Sequence, residues 1–369
     1  MPSTRNSAEP SSAEPAKRAR AFGLACGRLT PGPRNAITDV PGVRVGHVTL
    51  DEGAIQTGVT AILPHAGNLY RDKPVAAAEV LNGFGKSVGL MQVEELGALE
   101  TPILLTNTLS VGTASTALVR HAIAANPDIG RSTATVNPLV MECNDGPLND
   151  IQALAVTEAH AAAALAAALS EADGVEIAVG SVGAGRGMSC FGFKGGIGSS
   201  SRRLKLDGKR HHLGVLVLAN FGRPGELCLP DGRRVAPPAK DDAPEKGSVI
   251  VIAATDVPLD HRQLRRVIRR AGVGLARVGS FWGHGSGDIA LGFTTANRID
   301  HDERADIVPL RMLNERRIDA LFEAMADATQ EAVLDALAAA TPVVGRNGAT
   351  RPCLSDMLMS DLPISGSIP

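Results

Sequence analysis

The sequence predicts a layered α/β fold. Short β-branched runs alternate with longer alanine-rich segments along the 369 residues, a pattern typical of sheets covered by helices. Glycine is frequent, with 40 residues, whereas Phe, Trp and Tyr together make up only 3% of the chain. The interior must therefore be built from aliphatic side chains and close backbone contacts.

The elements follow from this alternation in chain order. Apolar, β-branched runs predict strands at 103–105, 139–142, 175–185, 211–220, 248–254 and 289–296. Alanine-rich or amphipathic runs predict helices at 113–124, about 155–169, about 260–270, 311–325 and 328–340. Gly174 stands where the second of these helices should receive a C-terminal cap.

Composition excludes several classes of protein. The net charge of -2 offers no basic footprint for nucleic acid, and no run of about 18 apolar residues predicts a membrane helix. The first 24 residues repeat SAEP and lack the apolar core of a secretory signal, so we expect a disordered tail. Five widely spaced cysteines, with no ligand-spaced Cys or His pairs, predict a reduced cytoplasmic protein without a metal or other cofactor.

A polar segment interrupts the pattern at 221–247. It carries five prolines and ten charged residues in 27, a composition that predicts an exposed connector without one fixed conformation. A linker between two domains is one interpretation. Because the strands on both sides resemble members of one sheet system, we favour an interruption within a single domain covering 25–369.

Two glycine-rich stretches resemble catalytic loops without matching them. The run 183–202, GAGRGMSCFGFKGGIGSSSR, lacks the spacing of a dinucleotide or phosphate loop, so glycines that let two layers approach closely are the favoured interpretation. In GHGSGD, Ser286 has His284 and Asp288 where a nucleophile elbow needs glycines. An ordinary Ser-His-Asp hydrolase is therefore disfavoured.

The bond between Gly247 and Ser248 joins the polar segment to a buried strand. If this bond were cut, the new α-amino group of Ser248, with a reference pKa of roughly 7.7 to 8.0, could act as the base for its own hydroxyl. Gly247 puts no side chain in the path of the attacking hydroxyl. Gly-Ser at a strand start is also common, so the residues alone leave this open.

Longer motifs carry a family resemblance. The stretches LTNTLSVGTA, ECNDGPLNDI, GSVGAGRGMSCFGFKGGIGSSSR, LANFG, KGSVIVIAATDVPL and GHGSGDIALGFTTAN resemble the self-processing L-aminopeptidase/D-amino-acid esterase and β-aminopeptidase (DmpA-type) family. The resemblance implies a four-layer αββα sandwich, similar to N-terminal-nucleophile hydrolases but with different connectivity. It also implies cleavage before a serine into chains 1–247 and 248–369, which stay together, usually in a homotetramer.

Matched residue by residue, the resemblance implies a complete site. Ser248 would be the nucleophile for cleavage and turnover, and Asn220 the amide that stabilises the oxyanion. Ser286 and Asp288 would hydrogen-bond around the nucleophile and its amine, with Asp288 standing where the family has Glu. Glu142 would bind the free ammonium of the substrate, and Asn144 replaces an aromatic residue found in some aminopeptidase members.

The sequence thus predicts a self-processing serine aminopeptidase. Its partners would be small peptides, amides or esters with a free amine, and neither nucleic acid nor membrane. An acyltransferase of the ornithine acetyltransferase type is an alternative, but that type processes before threonine, which Ser248 disfavours. A non-catalytic binding module that keeps the fold is the alternative from another class.

Overall fold

The computed structural model describes residues 17–172, 174–238 and 247–359. Its strands are β1 (Arg44–Leu50), β2 (Thr57–Leu63), β3 (Asp72–Gly83), β4 (Ile103–Asn107), β5 (Leu139–Cys143), β6 (Ser189–Cys190), β7 (Phe193–Lys194), β8 (Gly196–Leu206), β9 (Lys209–Asn220), β10 (Leu227–Cys228), β11 (Arg234–Val235), β12 (Ser248–Thr255) and β13 (Gly287–Asp300). Its α-helices are α1 (Leu90–Leu96), α2 (Val111–Ala125), α3 (Glu158–Ser170), α4 (His261–Ile268), α5 (Ala271–Arg277), α6 (Asp319–Ala338) and α7 (Leu354–Met359).

Two sheets form the centre of the molecule. The four-stranded sheet has the order β1-β2-β4-β5, and the five-stranded sheet has the order β3-β13-β12-β9-β8. Helices α2 and α3 pack on the first sheet, whereas α4, α5 and α6 lie on the side of the second. The predicted four-layer αββα sandwich is therefore confirmed.

Strand β12 shows why the central strands read as continuous apolar runs. Val249 and Val251 pack toward the helices, whereas Ile250 and Ile252 pack between the two sheets. Because both faces are buried, neither face can carry the polar alternation of a half-exposed strand. This double burial fixes the position of the first residue, Ser248.

The glycine-rich run does bring layers together, as predicted. A Cβ built on Gly198, in β8, would lie 2.0 Å from the carbonyl oxygen of Ala332 in helix α6. Only glycine lets this strand and helix approach so closely. The run 175–185, however, does not form the predicted strand: Gly180 makes an isolated bridge to Ile197, and Gly183–Gly185 is a 3-10 helix.

The C-terminal helices differ from the prediction at 311–325 and 328–340. One helix, α6, covers most of both predicted ranges, and residues 311–314 are not helical. The carbonyl oxygens of Arg311 and Leu313 accept hydrogen bonds from the side chains of Asn297 and Gln263, both at 2.6 Å. These side chains take the acceptors that a helix would have used internally. Helix α3 ends at Ser170 with Glu171 as its cap, so the predicted cap at Gly174 is wrong.

The predicted connector at 221–247 is wrong for its first part. Four apolar side chains of this segment are buried in the helix-facing core: Phe221, Leu227, Leu229 and Val235. Strands β10 and β11 of the same segment pair with each other. A few apolar residues thus suffice to hold the segment, although its mean composition is polar. Residues 239–246 lie outside the described residues.

The predicted tail, 1–24, also extends too far. Residues 1–16 lie outside the described part of the chain, but Ala19 and Leu24 are buried. Arg18 and Arg20 pair with Asp335 and Glu331 of helix α6, at 2.8 and 2.6 Å. These ion pairs fix the chain from Arg18 onward.

Two further findings concern only the described residues. No helix there is long and apolar enough to cross a membrane. No group of three or more His, Cys, Asp or Glu side chains is placed to hold a metal ion, and the five cysteines carry free thiols.

Candidate active site

Ser248 lies at the first position of β12, between two neighbouring strands. It pairs with Asn220, the last residue of the antiparallel β9, and with Gly287, the first residue of the parallel β13. Residues opposite each other on adjacent strands point to the same face. The side chains of Ser248 and Asn220 therefore both face the four-stranded sheet, as Ile250 does two residues further along β12.

The Ser248 hydroxyl and a backbone N–H both contact the carbonyl of the preceding peptide bond. The Ser248 hydroxyl donates a hydrogen bond to the carbonyl oxygen of Gly247 at 2.8 Å. The backbone N–H of Gly287 donates to the same carbonyl oxygen at 3.1 Å, and to Ser248 Oγ at 3.3 Å. One N–H thus polarises the carbonyl while the hydroxyl lies beside it.

Gly247 leaves no room for a side chain. A Cβ built there would lie 2.3 Å from the carbonyl oxygen of Asn220 and 2.8 Å from the Cα of Phe221. The glycine is therefore required by the close approach of the two chain segments.

The amide of Asn220 is held in one orientation. Its Oδ1 accepts a hydrogen bond from the backbone N–H of Ser189 at 2.9 Å, and its Nδ2 donates to the carbonyl oxygen of Asn144 at 3.0 Å. An amide nitrogen carries two hydrogens, so one such contact leaves a second N–H direction for a developing oxyanion. Asn220 is 5% exposed and Ser248 6% exposed, so both act in a shielded site.

Ser286 and Asp288 flank Gly287 and are fully buried. The Ser286 hydroxyl donates to Asp288 Oδ1 at 2.8 Å. Asp288 pairs with Val249, whose side chain packs toward the helices, so the carboxylate starts from the opposite face of the sheet to the Ser248 hydroxyl. The pair therefore adjoins Ser248 through the main chain of Gly287.

Glu142 approaches from the facing sheet, near the end of β5. Its Oε1 accepts from the backbone N–H of Lys86 at 2.9 Å, and its Oε2 accepts from the hydroxyl of Thr108. The next residue, Cys143, donates from Sγ to the carbonyl oxygen of Ser248 at 3.3 Å. This contact brings the end of β5, and Glu142 with it, to the start of β12.

Asn144 contributes through its backbone. Its carbonyl oxygen receives the Asn220 amide, whereas its exposed side chain accepts from the N–H of Gly146 at 2.9 Å. All seven residues singled out in the sequence therefore belong to one region: Glu142, Asn144, Asn220, Gly247, Ser248, Ser286 and Asp288. Their convergence was expected, but their chemical roles are proposals.

The sequence did not single out every group at this site. Gly287 acts through its N–H, which no side-chain motif reveals, although its place between Ser286 and Asp288 could have indicated it. Cys143 is fully buried, and burial raises its thiol pKa well above the usual value. The thiol is thus a hydrogen-bond donor to Ser248 rather than a second nucleophile.

An aromatic rim borders the site. The N–H of Phe84 donates to the carbonyl oxygen of Ser286 at 3.3 Å, and the half-exposed Phe84 ring contacts the ring of His284 at 6.2 Å between centroids. The ammonium of Lys86 lies 4.1 Å from the centroid of the same ring. This rim places an exposed apolar ring next to Ser286.

An αββα sandwich with a serine at the start of a central strand is the arrangement of the Ntn class of hydrolases. Comparison with known proteins specifies the family. The model of peptidase family S58 matches residues 35–351. Beta-peptidyl aminopeptidase BapA of Sphingosinicella microcystinivorans is 39% identical over 347 residues, which cover 87% of this chain and 85% of that protein.

Two solved structures of aminopeptidases are also similar to this chain. A Burkholderia sp. β-aminopeptidase is 43% identical, with a TM-score of 0.85, and the match covers 96% of this chain and 100% of that one. The L-aminopeptidase D-Ala-esterase/amidase of Ochrobactrum anthropi is 35% identical, with a TM-score of 0.84 and coverage of 93% and 96%. That protein is a prototype of the serine aminopeptidases and a variant of the Ntn hydrolase fold.

The chain belongs to peptidase family S58. It is a hydrolase with the Ntn-type fold and N-terminal aminopeptidase activity, and self-processing is consistent with the family. The family resemblance, the fold class and the enzyme class expected from the sequence are all confirmed.

Proposed function

We propose that this aminopeptidase cuts itself between Gly247 and Ser248 and then uses Ser248 as an N-terminal nucleophile. The observation that carries the proposal is the Ser248 hydroxyl beside the Gly247 carbonyl, whose oxygen also accepts from the Gly287 N–H. The substrates are short peptides, amides or esters with a free amine, including those that begin with a β-amino acid. The names of the relatives support the last point.

Self-cleavage begins when Ser248 Oγ attacks the carbonyl carbon of Gly247. The oxygen becomes an oxyanion, stabilised by the Gly287 N–H, and the C–N bond breaks as the Ser248 nitrogen takes up the hydroxyl proton. The resulting ester is hydrolysed by water, which leaves a carboxylate on Gly247 and a free amine on Ser248. Because β12 pairs with β9 on one side, the two chains remain joined by strand hydrogen bonds.

Turnover repeats this chemistry on an external carbonyl. The Ser248 amine accepts the hydroxyl proton, Oγ attacks the substrate, and the Asn220 amide stabilises the oxyanion. The leaving amine or alcohol takes up the proton, and water then hydrolyses the acyl-enzyme. Ser286 and Asp288 hydrogen-bond around the new amine of Ser248, which the cleavage creates next to Gly287.

Glu142 gives the enzyme its requirement for a free amine. Its buried carboxylate, 2% exposed, lies at the edge of the facing sheet and already accepts two hydrogen bonds. A substrate ammonium would supply the opposite charge that a buried carboxylate lacks. The aromatic rim around Phe84 would receive the side chain of the substrate.

The proposal includes assembly and location. We propose a homotetramer of processed units, as the resemblance implies, and a cytoplasmic location. Free thiols on all five cysteines support a reducing compartment.

Hydrolysis of p-nitroanilides tests the substrate assignment. The processed enzyme should release p-nitroaniline from β-alanine and L-alanine derivatives, and N-acetylation should abolish turnover. Glu142→Gln should raise KM for free-amine substrates by about 10-fold or more, since it removes the charge but keeps the shape. Glu52→Gln, at an exposed position, is the matched control. Equal hydrolysis of free and acetylated substrates would show that Glu142 does not bind an ammonium.

A further inference from the structure

Lys194 is a fully buried lysine outside the proposed catalytic groups. It lies in the two-residue strand β7, within the glycine-rich run, and its side chain is 0% exposed. Its ammonium donates to three backbone carbonyl oxygens: Gly185 at 3.0 Å, Met188 at 3.0 Å and Gly195 at 2.9 Å. A lysine has three N–H donors, so this cradle matches the charged form.

The bond to Met188 connects Lys194 to the proposed oxyanion site. The carbonyl of Met188 and the N–H of Ser189 belong to one planar peptide group. Lys194 Nζ binds the carbonyl end of this group, and the N–H end donates to Asn220 Oδ1 at 2.9 Å. The ammonium is therefore linked to the Asn220 amide through one rigid peptide group and two hydrogen bonds.

We propose that Lys194 is a positioning residue that fixes the Asn220 amide for oxyanion stabilisation, through the Met188–Ser189 peptide group. An ammonium at the carbonyl end polarises the peptide and strengthens the hydrogen bond that its N–H donates. With Oδ1 held in this way, Nδ2 must point away from Ser189, in the direction that serves an oxyanion. The inference rests on the proposed role of Asn220.

The rest of the glycine-rich run supports this arrangement. Gly195 donates from its N–H to the carbonyl of Met188 at 2.9 Å, and Phe191 donates to the carbonyl of Phe221 at 2.8 Å. A Cβ on Gly195 would lie 2.3 Å from the carbonyl oxygen of Ala219. The run is thus folded around the ammonium and pressed against the end of β9, where Asn220 lies.

The arrangement predicts a dependence on pH. Burial, and to a smaller extent the charge of Arg186, lower the pKa of Lys194, whereas Cys353, Asp145 and Cys190 act to raise it; together they bring the pKa to about 7. The ammonium is present below this pKa and is lost as the pH rises through it. A neutral amine has only two donors and turns a lone pair toward the third carbonyl, so kcat should fall on the alkaline side.

Two other groups affect the dependence of kcat on pH on its acid side. The Ser248 amine becomes active as the pH rises through its own pKa, which gives an acid limb. Asp145, whose pKa burial raises to about 6, also titrates on the acid side. The alkaline limb is therefore the one that belongs to Lys194.

A double-mutant cycle tests the inference. Lys194→Met, measured per processed chain, should lower kcat by about 10-fold or more, with little change in KM. The upper bound is the roughly 10²- to 10³-fold cost of losing the oxyanion donor itself. In an Asn220→Ala background, the same substitution should change kcat less than about 3-fold. The exposed Lys205→Met is the matched control.

A second measurement does not depend on the folding of the Lys194 variant. The pH profile of kcat should show an alkaline limb in the unsubstituted enzyme, and Asn220→Ala should remove it. Persistence of the limb in Asn220→Ala, or additive effects in the cycle, would overturn the role of Lys194. An unchanged kcat in Asn220→Ala would instead overturn the proposed function of Asn220.

Discussion

Two buried polar clusters of the five-stranded sheet differ in how completely their groups are paired. Under helix α6, the carboxylate of Glu331 receives Arg202 at 2.8 Å and Arg20 at 2.6 Å, and the amide of Asn35 completes its shell. At the start of β12, the Ser248 hydroxyl hydrogen-bonds, among the described residues, to two groups of the adjoining main chain, the Gly247 carbonyl and the Gly287 N–H.

This difference in pairing indicates that the Glu331 cluster serves stability, whereas the Ser248 cluster serves the reaction. Glu331 and Arg202 are both fully buried, so each ion must be matched by the other to offset its desolvation. Ser248 carries no charge, and its hydroxyl makes only neutral hydrogen bonds. These bonds can break at little cost when the oxygen attacks a carbonyl. We therefore expect changes in the first cluster to affect folding, and changes in the second to affect the reaction.

Ser248→Ala should give the largest effect. Without the hydroxyl, neither the Gly247 bond nor a substrate can be attacked, so processing should stop and turnover should fall by roughly 10⁴-fold or more. Mass spectrometry and p-nitroanilide release measure the two losses. Ser170→Ala, at the exposed end of α3, should change neither. Retained processing in Ser248→Ala would assign the nucleophile to another residue.

Glu331→Gln should destabilise the fold without changing the chemistry. Removal of one partner from a buried ion pair costs about 3–5 kcal/mol, since Arg202 would keep an unmatched charge. Denaturant unfolding should show this loss, while kcat per folded molecule stays constant.

The exposed pair Arg28–Glu323 provides the comparison. Arg28→Ala should leave the free energy of unfolding almost unchanged, because water screens such a pair. Similar losses for both variants would mean that burial does not separate the two kinds of ion pair.

Gly247→Ala should slow self-cleavage. Its Cβ would press on the Asn220 carbonyl at 2.3 Å, and overpacking of this kind costs about 1–3 kcal/mol, which in the transition state of cleavage lowers the rate by roughly 5- to 150-fold. The time course of fragment formation measures the effect. Gly112→Ala, where a Cβ meets nothing within 4 Å, should process normally. Normal cleavage of Gly247→Ala would refute the steric account.

The smallest expected effect is a pH dependence of the Glu331 cluster. Burial acts to raise the pKa of Glu331, but Arg20 and Arg202 outweigh it and the pKa is lowered. The stabilisation is therefore present above the unfolded pKa and lost as the pH falls through the folded value. The difference in unfolding free energy between the unsubstituted chain and Glu331→Gln should shrink in acid. A difference that is constant with pH would contradict this.

The sequence predicted where the candidate site residues lie in the fold better than it predicted the loops around them. Long motifs placed Ser248, Asn220 and Glu142, and alternation placed the strands that carry them. The buried part of 221–238 was missed because Leu227, Leu229 and Val235 are diluted by charged neighbours, and only tertiary contact shows which side is buried. Lys194 could not be recognised either, since its cradle consists of backbone carbonyls that no residue pattern encodes.

Intact mass of the purified protein tests the central claim most directly. The account predicts two fragments, 1–247 and 248–369, with Ser248 at the new N-terminus and activity that rises with their formation. A single uncut chain of 38.2 kDa with full activity on amino-acid amides would contradict it.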